Sequence, residues 1–356
     1  RQLLSLGVPR EKDRWQRNQR AKDVAEAWFS ITGDACQAER CLQACIASEG
    51  NTRALVEMAT ALRFALGIKW HDQSYDDMFR RHILTAEEFA DNCRDWCDCA
   101  SGWRFPASDK DSELRCVARA ETHAAGFFDY LRCASAWSPH DYEKVKYWVA
   151  RASEKTVTAY TWLRCAETLY YCRKEDPATQ EDIEHHLARA EEITRTHAGY
   201  IAWVFSADMC LGARGIEGVM RCLNKAERVI RGMDDWCLHI GTILALMYRA
   251  RHIHEPVAGI ANHEELEAYY RPCLKRFIRC RPKTQDWLIL VKKLRWEKPD
   301  DTVRHFMVKA ETAACTGQDW QACAQQWLDM KLPESKKKAI LCRRRSMETW
   351  NPNRLP

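Results

Sequence analysis

The chain has 356 residues, 46% hydrophobic and 29% charged, with 55 Lys and Arg against 50 Asp and Glu for a net charge of +5. Such apolar content excludes an intrinsically disordered chain. No apolar run approaches the roughly 20 residues of a membrane-spanning helix, and no charged start followed by an apolar core resembles a signal peptide.

Residues 1–20 form a basic, polar N-terminal segment that opens on Arg1, not Met, as expected of a processed protein or a piece of a longer one, and a short helix is predicted from Arg10 to Arg20. Helical repeats are expected over 21–250. The segment 67–91 carries a degenerate second helix from Tyr75 to His82, and Arg104 to Asp111, with Pro106, reads as an exposed loop. Pro256 and Gly259 interrupt the helical period, so 251–263 reads as a loop or insertion. Basic repeats resume over 264–332, a terminal capping helix follows over 333–350, and 351–356 is a flexible tail.

The clearest stretch runs from Val157 to Met233, where two kinds of helix alternate. The first carries a large residue followed one turn later by a small one: Trp162/Ala166, then Trp203/Ala207. The second carries an apolar triplet at i, i+4 and i+7: Ile183/Leu187/Ala190, then Val219/Leu223/Ala226. Both spacings place their members on one helix face, and the small residue leaves a notch for a neighbouring helix. The first signature recurs at Trp96/Ala100, Tyr130/Ala134 and Trp320/Ala324, with degenerate copies at Ala21/Ala25, Leu55/Ala59, Trp236/Ile240 and Trp287/Val291. A second aromatic follows seven residues after the anchor at Trp28, Trp103, Trp137 and Trp327. The triplet recurs at Ala38/Leu42/Cys45, Val145/Val149/Ala152 and Val303/Met307/Ala310. A helix pair repeating at about 35 residues, with loop insertions, is the signature of an α-solenoid.

On these anchors the chain resembles the tetratricopeptide repeat family, whose first helix carries Trp, a leucine-like residue, a small residue and Tyr. Gly33-Asp34 sits where that family places its inter-helix turn. Ala replaces the usual Gly, Cys takes the leucine-like place at Cys99, Cys133, Cys165 and Cys323, and the closing Pro is mostly missing. The expected fold is all-α, a right-handed α-solenoid of about eight to nine antiparallel helix pairs.

Eighteen cysteines are many for such a chain. Cys41, Cys116 and Cys222 each precede the central aliphatic residue of a second helix, and four others share the first-helix slot. Equivalent slots of stacked repeats lie too far apart for a disulfide, so reduced thiols in a cytoplasmic protein are expected. Cys93 and Cys97 share a face beside Cys99 and offer two corners of a zinc site, but no CxxC pair accompanies them. His252, His254, Glu255 and His263 flank the Pro/Gly segment in no fixed metal spacing. Of the adjacent pair His185 and His186, one should be packed and the other wet. No metal and no cofactor are predicted, and no HExxH, nucleophile elbow or Gly-rich phosphate loop occurs.

Charge is uneven. From Arg271 onward there are 20 Lys or Arg against 9 Asp or Glu, a net of +11, which leaves 35 against 41 in the remainder. This asymmetry favours an acidic partner. The expected function is a non-catalytic scaffold or adaptor binding a protein or peptide with an acidic segment, not an enzyme and not a membrane protein. The resemblance implies groove positions one, five and eight residues after each anchor: Leu163, Glu167 and Tyr170; Val204, Asp208 and Leu211; Leu288, Lys292 and Arg295. The alternative is a nucleic-acid partner, RNA bound by the basic third.

Overall fold

The structure, a computed structural model, describes residues 14–46, 52–65, 76–105, 107–173, 177–211, 215–252, 263–294, 300–330 and 332–349. Among the described residues there are 18 α-helices and no strand. They are α1 (Arg14–Thr32), α2 (Ala35–Ile46), α3 (Thr52–Ala65), α4 (Asp76–Glu88), α5 (Cys93–Arg104), α6 (Lys110–His123), α7 (Phe127–Trp137), α8 (Tyr142–Ser153) and α9 (Ala159–Arg173). Then follow α10 (Pro177–Ile193), α11 (His197–Leu211), α12 (Ile216–Arg228), α13 (Met233–His252), α14 (His263–Arg279), α15 (Thr284–Leu294), α16 (Asp300–Ala313), α17 (Gly317–Met330) and α18 (Ser335–Thr349).

The chain divides into two compact units, residues 1–156 with 171–173, and residues 157–170 with 174–356. In the first unit, α1 packs on α2, α3 on α4, α5 on α6 and α7 on α8, while α1, α3, α5 and α7 stack in succession. In the second, α11 packs on α12, α13 on α14, α15 on α16 and α17 on α18, while α11, α13, α15 and α17 stack in succession. The protein is therefore an all-α solenoid, in which each helix pair meets chiefly its neighbours.

The notch residues do what their spacing requires. Ala59, Ala100, Ala134, Ala166, Ala207 and Ala324 are all buried, as are the triplets Val145/Val149/Ala152, Ile183/Leu187/Ala190, Val219/Leu223/Ala226 and Val303/Met307/Ala310. Of the Ala38/Leu42/Cys45 triplet, Ala38 is buried and the other two side chains lie outside the described residues.

Local chemistry sets the helix boundaries. At the turn between α1 and α2, Gly33 adopts φ +69°, and its N–H donates to Phe29 O at 2.7 Å. Asp34 Oδ1 then accepts from Gln37 N–H at 3.1 Å and caps α2. Asn92, Asp109 and Asp141 cap α5, α6 and α8 in the same way. A second device stands just before several anchors. The carboxylates of Asp129, Asp235, Asp286 and Asp319 reach back to accept backbone N–H groups three or four residues earlier. Each precedes its aromatic anchor by one residue: Tyr130, Trp236, Trp287 and Trp320.

A third device ties repeat to repeat. Second helices end in Ala-Glu, at Glu87, Glu121, Glu191, Glu227 and Glu311. Sixteen residues later an indole finds this carboxylate: Trp103 Nε1 donates to Glu87, Trp137 to Glu121 at 2.8 Å and Trp327 to Glu311 at 2.6 Å. The next second helix supplies further donors to the same carboxylate. Arg115 and the Cys116 thiol reach Glu87, Lys144 and Trp148 reach Glu121, Arg221 and Lys225 reach Glu191, Arg276 and the Cys273 thiol reach Glu227, and the Cys342 thiol reaches Glu311. Trp203 departs from the pattern and donates to Leu187 O at 2.7 Å.

Five expectations need correction or placement. Of the predicted helix at 10–20, the described part belongs to the longer α1, which runs unbroken from Arg14 to Thr32 because no Gly or Pro intervenes. The second helix predicted over 75–82 is described from Asp76 and extends to Glu88. The Arg104 to Asp111 connection is not wholly exposed, since Ala107 is buried in the core and Asp109 caps α6. The predicted insertion at 251–263 lies mostly outside the described residues, as does the tail.

Candidate functional site

The nine predicted groove positions do not behave as one surface. Leu163, Val204 and Leu288 are buried core residues, at 2%, 0% and 2% exposure, so they do not face a partner. They adjoin an anchor that faces inward, and the stacked first helices cover that flank as well. Glu167 and Asp208 are instead engaged between successive first helices. Ser206 Oγ of α11 donates to Glu167 Oε1 of α9 at 2.7 Å, and Arg249 of α13 donates to Asp208 Oδ2 of α11 at 2.8 Å. Arg164 also donates to Glu167 from one turn away. Burial pushes the Asp208 carboxyl up, and the Arg249 guanidinium holds it back. Tyr170 and Leu211 are half-buried, Lys292 is exposed, and Arg295 lies outside the described residues.

The cations of the C-terminal helices divide into two sets. Arg271, Arg276, Arg304 and Arg344 are held by Glu267, Glu227, Asp301 with Glu334, and Glu348. Lys275 and Arg279 lie one turn apart on α14, Arg281 and Lys283 occupy the turn into α15, and Lys292 sits on α15, all exposed. No ion pair joins these five to an acid among the described residues. Arg281 adopts φ +55° at this turn. On α18, Lys336, Lys337 and Arg343 are exposed, while Lys338 and Arg345 lie over the rings of Trp327 and Trp320.

Two polar clusters depend on tertiary packing, the first unseen in the sequence and the second seen there only as Cys93 and Cys97. His197 of α11, His239 of α13 and Tyr269 of α14 form a line, with His197 Nε2 3.4 Å from His239 Nδ1 and His239 Nε2 3.1 Å from the Tyr269 hydroxyl. Asp235 stands 3.5 Å from the other side of His197. Burial, with His197 beside it, pushes the His239 imidazole down to about 3. The second cluster is Cys93, Cys97 and Cys133, three thiols within 4.8 Å of one another. Cys99, grouped with the first two by sequence, is buried apart from them and held protonated by desolvation. Of the adjacent histidines, His185 is exposed and His186 is packed, with His186 Nδ1 2.6 Å from Asp182 O. The side chains of His252, His254, Glu255 and His263 lie outside the described residues.

No family model and no curated protein matches the chain. A solved structure described as a "Circular tandem repeat protein with novel repeat topology and enhanced subunit contact surfaces" is similar at 13% identity, covering 93% of this chain and 76% of that one, with a TM-score of 0.27. That superposition is too loose to bear on topology or function, and the solenoid assignment rests on the helix packing above.

Proposed function

We propose that the chain is a non-catalytic helical-repeat scaffold or adaptor of tetratricopeptide type, acting in the cytoplasm, whose C-terminal helices hold an acidic segment of a protein partner. The exposed cations Lys275, Arg279, Arg281, Lys283 and Lys292 carry this reading, because no acid of the described residues neutralises them. Exposed charges of one sign sum into a field that steers an oppositely charged partner. A protein segment suits this surface better than RNA. Single-stranded nucleic acid is held by cations together with aromatic platforms, and no exposed Phe, Tyr or Trp occurs among the described residues of α14 to α18.

Fluorescence anisotropy with an acidic peptide and with a single-stranded RNA of equal charge tests the proposal. Peptide affinity should fall steeply as salt shortens the Debye length from about 10 Å toward 3 Å. The pair Lys292→Glu with Arg295→Glu should weaken the peptide at least tenfold with little change in melting, since exposed charges contribute little to folding. A reversal at Arg343 and Arg344 is the control and should matter less. Equal losses from both pairs would reduce the site to diffuse electrostatics, and tighter binding of RNA would replace the partner class.

A further inference from the structure

Cys93 is the first residue of α5, and Cys97 follows one helical turn later on the same face. Cys133 comes from the middle of α7, the first helix stacked on α5. Cys93 Sγ and Cys133 Sγ are 3.7 Å apart, and Cys97 completes a triangle whose sides are all within 4.8 Å. Two sulfurs bound to one ion at about 2.3 Å with tetrahedral angles stand about 3.8 Å apart. A disulfide needs a separation near 2.05 Å, so the Cys93–Cys133 spacing is that of a thiol–thiol contact, and it matches what a shared ion would require.

The repeat explains two of these thiols: Cys133 fills the buried first-helix slot that Cys99, Cys165 and Cys323 also fill, and Cys97 takes the place after the anchor that Leu163, Val204 and Leu288 take, whereas Cys93 is additional to both. Cys93 opens α5, where a helix N-terminus favours a thiolate, and its Sγ lies 3.7 Å from both Cys133 Sγ and Asp129 O, with Arg132 next to Cys133 in the chain. A divalent ion takes sulfur as thiolate, so its arrival would release the protons these thiols carry. Three thiolates and a divalent ion leave one negative charge beside Arg132. Cys97 is only half-buried and gives the cluster its opening to solvent.

We propose that Cys93, Cys97 and Cys133 bind one thiophilic divalent ion, zinc(II), as a tris-thiolate site that clasps α5 to α7 and leaves a fourth corner for an external ligand. No fourth His, Cys, Asp or Glu joins the group among the described residues. Binding forms three metal–sulfur bonds and releases the protons those sulfurs carried.

The test uses the full reduced chain. Cobalt(II) titration should give an intense near-ultraviolet thiolate charge-transfer band that saturates at one equivalent and is bleached by one equivalent of zinc(II). Alkylation of the native wild-type protein with and without zinc(II), mapped by mass spectrometry, should show protection of Cys93, Cys97 and Cys133 above all other thiols. Cys97→Ser and Cys133→Ser should weaken cobalt binding at least tenfold, and Cys116→Ser should not. If a serine variant does not fold, the wild-type protection map decides the matter alone. Absence of a saturating band, protection spread over unrelated cysteines, capture of copper(I) without zinc(II), or a native Cys93–Cys133 disulfide would each overturn the assignment.

Discussion

At the residue scale, the Ala-Glu ending of the second helices is the most informative feature, because one carboxylate serves several donors. Trp327 is 1% exposed and donates its indole N–H to Glu311, which also accepts from the Cys342 thiol. Removing that acceptor strands a buried donor, at a cost of about 1–3 kcal/mol. Glu311→Ala should therefore lower the urea midpoint by that amount, and Glu311→Gln, which keeps a carbonyl oxygen, should lose less. Loss of Glu348, which accepts from exposed Arg344 at 3.0 Å, serves as the reference. If Glu311→Ala costs no more than Glu348→Ala, the link is not a strut. Cysteine acquires a reason here as well. The thiols of Cys116, Cys273 and Cys342 are weak donors aimed at a Glu of the preceding second helix, a role that a plain apolar residue would not fill.

At the element scale, α11 and α12 meet at Gly218, where an added Cβ would lie 2.7 Å from the Trp203 ring. Two effects compete at this position. Ala in a helix interior is better than Gly by about 1 kcal/mol. Against that, Trp203 is held by its bond to Leu187 O, so the ring has no easy retreat, and overpacking costs about 1–3 kcal/mol. Gly218→Ala should lower the melting temperature despite its better propensity, and a rise would show that the ring yields freely. Helix starts and stops were partly readable. Gly33-Asp34 is placed at its turn by the family resemblance, and the left-handed glycine followed by a capping carboxylate is the physical reason that turn takes these residues. The Asp before Tyr130, Trp236, Trp287 and Trp320 is a signal of the same kind, but its partners are backbone groups that leave no mark in composition.

At the scale of the whole molecule, acid should unfold the second unit through two identifiable groups. Glu191 is held down to about 2 by Arg221 and Lys225. Its contribution is complete above its unfolded pKa of about 4.3 and is lost as pH falls through 2. His239 is held down to about 3 by burial, with His197 beside it, so the unfolded chain binds its proton first, below about pH 6.5. Both terms make stability rise with pH between about 2 and 6.5. His239→Gln should flatten the urea-midpoint curve between pH 6.5 and 3, while Arg221→Ala should flatten the part below 4.3. A curve unchanged by either substitution would remove these groups as the cause. His197 and Tyr269 face His239, and Asp235 stands on the far side of His197.

The sequence by itself determined the architecture. A large residue, a small residue one turn on, and an apolar triplet on the next helix can be satisfied only by stacking copies, because one helix pair cannot cover its own apolar face. It also marked the cation-rich end, since exposed charge needs no partner to be counted. Tertiary structure alone decided which residues remain available. Leu163, Val204 and Leu288 sit beside inward-facing anchors and are covered from both flanks, while Glu167 and Asp208 are taken up by the next first helix along. It also brought Cys133 to Cys93 and Cys97 across forty residues of chain, a meeting that depends on how α7 stacks on α5. Periodicity fixes the face a residue occupies, but the stacking of one repeat on the next fixes what that face meets.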